Sequence, residues 1–275
     1  MSSLTNRYVT IQEESTYGTA PTEATATLFI GEVDDESFSQ NFDLMTRADM
    51  ATYGAAKSVV GTKYSEGDVN YPLQTDNFNL RMLHAAFGAD TYSADTPTSG
   101  DEQHVLTETT DDSTFPSYTV RVGQETKQRV FTGMVLDTIS LSAAINEYVM
   151  MSASFVGCGE SAVTALRTPG GGGATDPPAF STIDALHFAE AYVQFGSVAT
   201  TAAFSKAISS VSVDISLNRD QDNAYALGGA NNTYVRSPPP QLREISGSIE
   251  FNKVIWTDGE DPGSSVTPTY DELRA

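Results

Sequence analysis

A short pattern that occurs twice, toward opposite ends of the sequence, constrains this chain more than any single motif. Gly67-Asp68-Val69-Asn70-Tyr71 and Gly247-Ser248-Ile249-Glu250-Phe251 both read Gly-x-(Val/Ile)-x-(aromatic). Each copy follows an alternating segment and a long polar stretch. Each precedes a segment with helical character. Self-similarity at long spacing marks repeated supersecondary structure. A duplicated strand–loop–strand–helix unit therefore predicts the fold, and it points to a structural subunit rather than an enzyme. The two long loops share detail as well. Arg47 and Asp49 flank Ala48 in the first, and Arg219 and Asp220 are adjacent in the second. Tyr53-Gly54 has a looser counterpart in Tyr225 and Gly228.

The segments around these copies read as β-structure, with alternating stretches separated by Gly, Asp, Asn and Pro clusters. Strands are predicted over residues 5–12, 27–33, 37–44, 66–74, 103–108, 118–123, 135–142, 147–157, 187–195, 208–217 and 244–252. In 37–44, Phe38, Phe42 and Leu44 share one face. In 208–217, Val211, Val213, Ile215 and Leu217 face inward, and Ser210, Ser212, Asp214 and Ser216 face out. Segment 147–157 is apolar on both faces, which predicts a central strand. Loops are predicted over 45–64 and 218–241. A helix is predicted over 76–88, with Asp76 as N-cap, an apolar stripe from Phe78 to Phe87, and Gly88 as its stop. Residues 269–274 read as the first turn of a second helix. The run Gly170-Gly171-Gly172-Gly173 with Pro177-Pro178 predicts a connector over 166–180. It separates a first unit, 1–165, from a second, 181–275, the two sharing sheets in one body.

Composition narrows the class. The chain has 275 residues, 39% apolar, with 13 Phe and 12 Tyr to build a core. No apolar run of about 18 residues is present, so no membrane span is expected. The opening residues lack an apolar signal core, which predicts synthesis in the cytoplasm. Net charge is −21, from 36 acidic and 15 basic residues. Lysine occurs only at positions 57, 63, 127, 206 and 253. Salt adaptation would produce this balance, and so would a surface that repels a polyanion. Tight nucleic-acid binding is disfavoured, because it needs Lys and Arg to neutralise phosphates. A surface past which DNA slides is compatible.

Catalytic chemistry finds no support. His84, His104 and His187 are not spaced as metal ligands. The glycine run lacks the Gly-Lys-(Ser/Thr) of a phosphate loop, and no Gly-x-Ser-x-Gly occurs. Cys158 is the only cysteine, so there is no internal disulfide, and a buried thiol is expected. Asp111-Asp112 and Asp220-Gln221-Asp222-Asn223 read as solvated turns. Asn231-Asn232-Thr233 fits a glycosylation sequon. No cofactor or metal is expected.

Three stretches together resemble the tail tube proteins of long-tailed viruses of bacteria and archaea. They are Glu13-Glu14-Ser15-Thr16-Tyr17-Gly18-Thr19-Ala20-Pro21, the span from Gly61 through Gly67 to Phe87-Gly88, and Leu242-Arg243-Glu244-Ile245-Ser246-Gly247-Ser248-Ile249-Glu250-Phe251. The resemblance implies a mainly β fold, a sandwich or barrel of two packed antiparallel sheets with a flanking α-helix, here internally duplicated. It implies a structural virion protein of the tail, whose rings stack around a channel that conducts DNA. The duplication favours three chains in a pseudo-six-fold ring over six chains. Implied partners are further copies of the chain, the tail terminator, the baseplate and the tape-measure protein. DNA passes without specific binding, and no membrane is engaged. The two long loops are assigned to ring-to-ring stacking, with Arg47, Asp49, Tyr53, Lys57, Lys63, Arg219, Asp220, Asp222, Tyr225 and Arg236 as contact residues. The acidity suggests a halophilic archaeal host. Two alternatives remain open: another β-rich virion protein, such as a tail terminator or head decoration, and a halophilic carbohydrate-binding sandwich.

Overall fold

The computed structural model describes residues 7–47, 57–94, 102–109, 115–124, 126–190, 194–195, 202–203, 208–225 and 237–251. The strands in chain order begin with β1 (Tyr8–Glu13), β2 (Phe29–Gly31), β3 (Asp35–Glu36), β4 (Ser39–Arg47) and β5 (Lys57–Pro72). Helix α1 (Asn77–Phe87) follows. Then come β6 (Gly88–Ala94), β7 (Glu102–Glu108), β8 (Tyr118–Gln124), β9 (Lys127–Ala144), β10 (Met150–Gly157) and β11 (Gly159–Ala165). The last are β12 (Gln194–Phe195), β13 (Ala202–Ala203), β14 (Ile208–Ser216) and β15 (Glu244–Phe251). The fold is mainly β, with antiparallel sheets and, among the described residues, one α-helix.

Strand β9 organises the main sheet because it belongs to two sets of strands in succession. Its first half, up to Met134, pairs with β8 and β11. Its second half, from Val135, pairs with β10 and β14. The order β2-β1-β8-β9-β10-β5-β3 results, with β14–β15 and β4 joined at β9 and β5. The change of partners falls at Gly133, which has φ +65°. A side chain there would be strained by the left-handed backbone. It would also meet Cys158 Sγ at 2.5 Å.

Helix α1 forms where the sequence predicts it. The Asp76 carboxylate accepts from Asn79 N–H at 2.9 Å, and Gly88 closes the helix with φ +86°. Phe78, Met82, Ala85 and Ala86 point into the core, against Val9, Val69, Tyr71, Tyr118 and Met151. The predicted strands over 5–12, 118–123 and 135–142 appear as β1, β8 and part of β9. The predicted central strand is β10, which lies between β9 and β5.

Several expectations are corrected. The predicted loop 45–64 is largely strand: β4 and β5 stay in register out to Arg47↔Lys57. Among the described residues nothing covers either side of this outer ladder, so no alternation of burial marks it in the sequence. Phe42 and Leu44 do not accompany Phe38 into the core; they are 59% and 55% exposed, with a bulge between them. The predicted strand 187–195 begins instead as a 3-10 turn over Phe188–Glu190. Glu190 draws that turn closed, accepting from His187 N–H at 3.1 Å while its own N–H reaches the His187 carbonyl at 2.9 Å. The second copy of the repeat lies on β15, whose hairpin partner β14 adds directly to β9. The predicted turn 269–274 and the sequon at Asn231 lie outside the described residues.

The two repeat glycines meet close neighbours. A Cβ on Gly67 would fall 2.5 Å from the Phe38 ring, so the bare glycine lets that ring bury. A Cβ on Gly247 would approach the Ser212 carbonyl to 2.8 Å.

Candidate functional site

Strand register places a run of small hydroxylated residues on one face of the sheet. Directly paired residues on antiparallel strands point to the same side. One row across β15, β14, β9, β10 and β5 reads Glu244, Ser216, Thr138, Ser154, Asp68. The next reads Ser246, Asp214, Ser140, Ser152, Asn70, and continues to Asp35 on β3. A third begins Ser248, Ser212, Ser142. These positions hold no Lys or Arg. The hydroxyls bond to one another and to carboxylates, as in Ser212 Oγ to Ser248 Oγ at 2.8 Å and Ser210 Oγ to Glu250 Oε2 at 2.9 Å. The opposite face of the same strands carries Val69, Ala153, Ile139 and Ile215, the first three of them buried. A face of short side chains with scattered carboxylates is smooth, hydrated and repellent to phosphate.

A second feature is the outer β4–β5 hairpin. Phe42, Leu44, Met45, Val59 and Val60 are all exposed on it, at 59%, 55%, 59%, 61% and 36%. Leu44 and Val60 pair on one side of the ladder and Met45 and Val59 on the other, so both sides present exposed apolar residues to a partner.

The residues expected at ring contacts divide between these surroundings. Arg47 and Lys57 pair at the end of the hairpin ladder. Lys63 lies opposite Phe42 on the same hairpin, and its carbonyl accepts from Tyr225 OH at 3.5 Å. Lys63 and Tyr225 are thus brought together. Arg219 is 7% exposed, and its Nε donates to the Leu136 carbonyl at 2.9 Å. Its Nη1 donates to the Pro238 carbonyl at 3.1 Å, and the guanidinium covers the Phe115 ring at 4.9 Å. It braces the loop after β14 against the core. Asp220 N–H donates to the Pro239 carbonyl at 3.0 Å, and Asp222 is exposed at the start of a 3-10 turn. Asp49, Tyr53 and Arg236 lie outside the described residues.

The hydroxyl face was readable only in fragments. Ile139-Ser140-Leu141-Ser142, Ser152-Ala153-Ser154 and Ser246-Gly247-Ser248 all alternate. What sequence lacks is the register that aligns them across strands.

Among the described residues the titratable groups form local pairs and buried single groups. Burial pushes the Cys158 thiol up to about 11 and holds His84 below its ordinary value. His104 Nδ1 lies 2.8 Å from Asp90, and His187 Nδ1 lies 2.7 Å from Glu190, as local pairs. No group of three or more His, Cys, Asp or Glu able to hold a metal ion occurs among the described residues. No helix among them is long and apolar enough to cross a membrane.

The geometry defines a structural β-sheet subunit with one smooth polar face and one projecting apolar hairpin. The family model of the phage tail tube protein matches residues 5–252, and the chain belongs to that family. It is a structural component of the virion tail, not an enzyme. A comparison with curated protein sequences found no match. Among solved structures, it is similar to a chain of the virion of a native gene transfer agent particle, at 7% identity and TM-score 0.37, covering 60% of this chain and 98% of that one. It is also similar to a chain of the six-fold symmetric tail of an empty gene transfer agent particle, at 8% identity and TM-score 0.35, with 60% and 98% covered. A third similarity is to a chain of the anti-feeding prophage baseplate, at 5% identity and TM-score 0.35, with 58% and 92% covered. Family membership is carried by the family model.

Proposed function

We propose that this tail tube subunit forms closed rings that stack, with the Ser/Thr face of β5, β10, β9, β14 and β15 turned toward the channel. The observation that carries this reading is the absence of any cationic side chain from the aligned rows, two of them across five strands and one across three. DNA phosphates would find no point of attachment there, and the genome would slide on bound water. The exposed edge strand β15 then gains pairing partners from a neighbouring chain, which relieves an otherwise sticky edge. The β4–β5 hairpin reaches the adjacent ring.

The repeat supports three chains per ring, each supplying two hairpins on opposite flanks of its sheet, with six chains as the alternative. The tail terminator, baseplate and tape-measure proteins are the partners such a tube requires. A net charge of −21 with five lysines supports a halophilic archaeal host.

Rotationally averaged electron micrographs of the purified chain at high salt test this reading. Stacked rings with β15 at a subunit boundary and the hydroxyl face at the channel are expected. Compact monomers at high concentration, or rings with that face outward, would overturn it.

A further inference from the structure

We propose that the turn 145–148 together with segment 183–190 is the surface that receives the β4–β5 hairpin of a second copy stacked along the tube. This inference depends on the stacking reading above and adds the receiving half of the contact.

The two surfaces lie at opposite ends of one strand axis. Strand β5 starts at Lys57 on the hairpin and runs to Pro72, which pairs with Met150. The turn 145–148 leads directly into β10 at that end. Segment 183–190 is fastened to it: Val149 N–H donates to the Leu186 carbonyl at 2.9 Å, and Phe188 N–H to the Glu147 carbonyl at 3.0 Å. Tyr148 and His187 form an isolated bridge. A contact between unlike ends repeats head to tail without closing, which is the symmetry of a stack.

The surfaces also match in chemistry. The receiving end exposes Ile145, Tyr148, Ile183 and Phe188 at 45%, 60%, 44% and 38%, facing the apolar hairpin residues of the next copy. Its carboxylates Glu147 and Asp184 are exposed, Glu190 is engaged by His187 at 2.7 Å, and neither 143–150 nor 180–190 contains Lys or Arg. The hairpin carries Arg47 and Lys57 directly opposite each other, with Lys63 further along. Carboxylates from a second copy would oppose these cations. Between Phe42 and Lys63 the sequence holds three basic residues against Asp43 and Asp49, a net positive stretch in a chain with 36 acidic and 15 basic residues.

Charge exchange tests the pairing. Glu147→Lys with Asp184→Lys is expected to leave rings intact and abolish stacking in low salt, as is Lys57→Glu with Lys63→Glu. All four substitutions in one chain are expected to restore tubes. An independent readout is cross-linking: Val59→Cys with Tyr148→Cys, treated with a bismaleimide, should give a ladder of linked copies in assembled tubes. The single native cysteine, Cys158, is 8% exposed and contributes little background. If hairpin variants lose stacking while the 147/184 and Tyr148 variants stack and fail to cross-link, the hairpin docks elsewhere and the inference falls, although stacking stands. If the native chain forms rings that never stack, both readings fall.

Discussion

Glu14 shows how much one buried carboxylate can hold in place. At 9% exposure it accepts from Gly18 N–H and Ser117 Oγ through one oxygen, at 2.8 and 2.9 Å. The other oxygen accepts from Thr119 Oγ1 at 2.7 Å and Gly133 N–H at 2.9 Å. The N-terminal arm, β8 and the bend in β9 meet at this one side chain. In Glu14→Gln an amide N–H₂ replaces one oxygen. The one hydroxyl on that side can rotate to accept from it, but the main-chain N–H on the same side is left facing a donor. A stability loss of about 3 kcal/mol is expected, since a buried group without its partner costs its full desolvation. The midpoint of urea unfolding should fall with the slope unchanged. Cys158 behind the same bend gives a pH test. Burial raises its thiol from its ordinary value of 9.0 to about 11. An acid whose folded value is raised favours the fold while neutral. That contribution is complete below about pH 9 and is lost as pH rises toward 11. At neutral pH, alkylation of Cys158 should proceed no faster than unfolding, and it should accelerate across that alkaline window.

At the scale of elements, the joint between α1 and β15 ties the end of the described chain to its first half. Arg243, immediately before β15, donates from Nη2 to the Ala86 carbonyl at 2.8 Å and lies over the Phe87 ring at 5.8 Å. A cation at a helix C-terminus is favoured by the helix dipole. Arg243→Met keeps an apolar stem and removes the charge. It should cost about 1–2 kcal/mol, read as faster hydrogen exchange at 84–88 and 244–251 and unchanged exchange in β1 and β8. Legibility in sequence divides along the same elements. Helix α1 was readable because one side is buried, one is wet, and Asp76 and Gly88 punctuate it. The first half of β9 was not, because it is buried with polar residues inside: Gln128 and Thr132 are 1% and 4% exposed. The outer half of β5 was not, because it is bare on both sides. Alternation reports a difference between two faces, and neither half-strand has one. Arg219 misled for a related reason. An arginine beside Asp220 in a polar loop reads as surface, yet backbone carbonyls at Leu136 and Pro238 satisfy it inside.

At the scale of the whole molecule, the described strands keep Lys and Arg out of the paired rows on one broad face, and this separation can be inverted. Salt shortens the reach of repulsion from the carboxylates to about 3 Å at 1 M. In brine the low friction of the channel would then depend less on net charge than on the lack of any lysine or arginine to pair with phosphate. Ser140→Lys with Ser216→Lys places two cations on adjacent strands of that face, Ser216 opposite Thr138 at the end of the ladder away from the 145–148 turn. Rings and tubes should therefore still assemble. Assembled tubes of this variant should retain short duplex DNA at low salt, and retention should fall steeply as salt rises, because each phosphate contact releases counterions. The retained DNA should be protected from nuclease, since it lies within the channel. Native tubes should retain none under the same conditions. If the variant binds DNA that nuclease still digests, the Ser/Thr face is on the outside of the tube. If native tubes bind equally well, the separation of charge does not govern the passage of DNA.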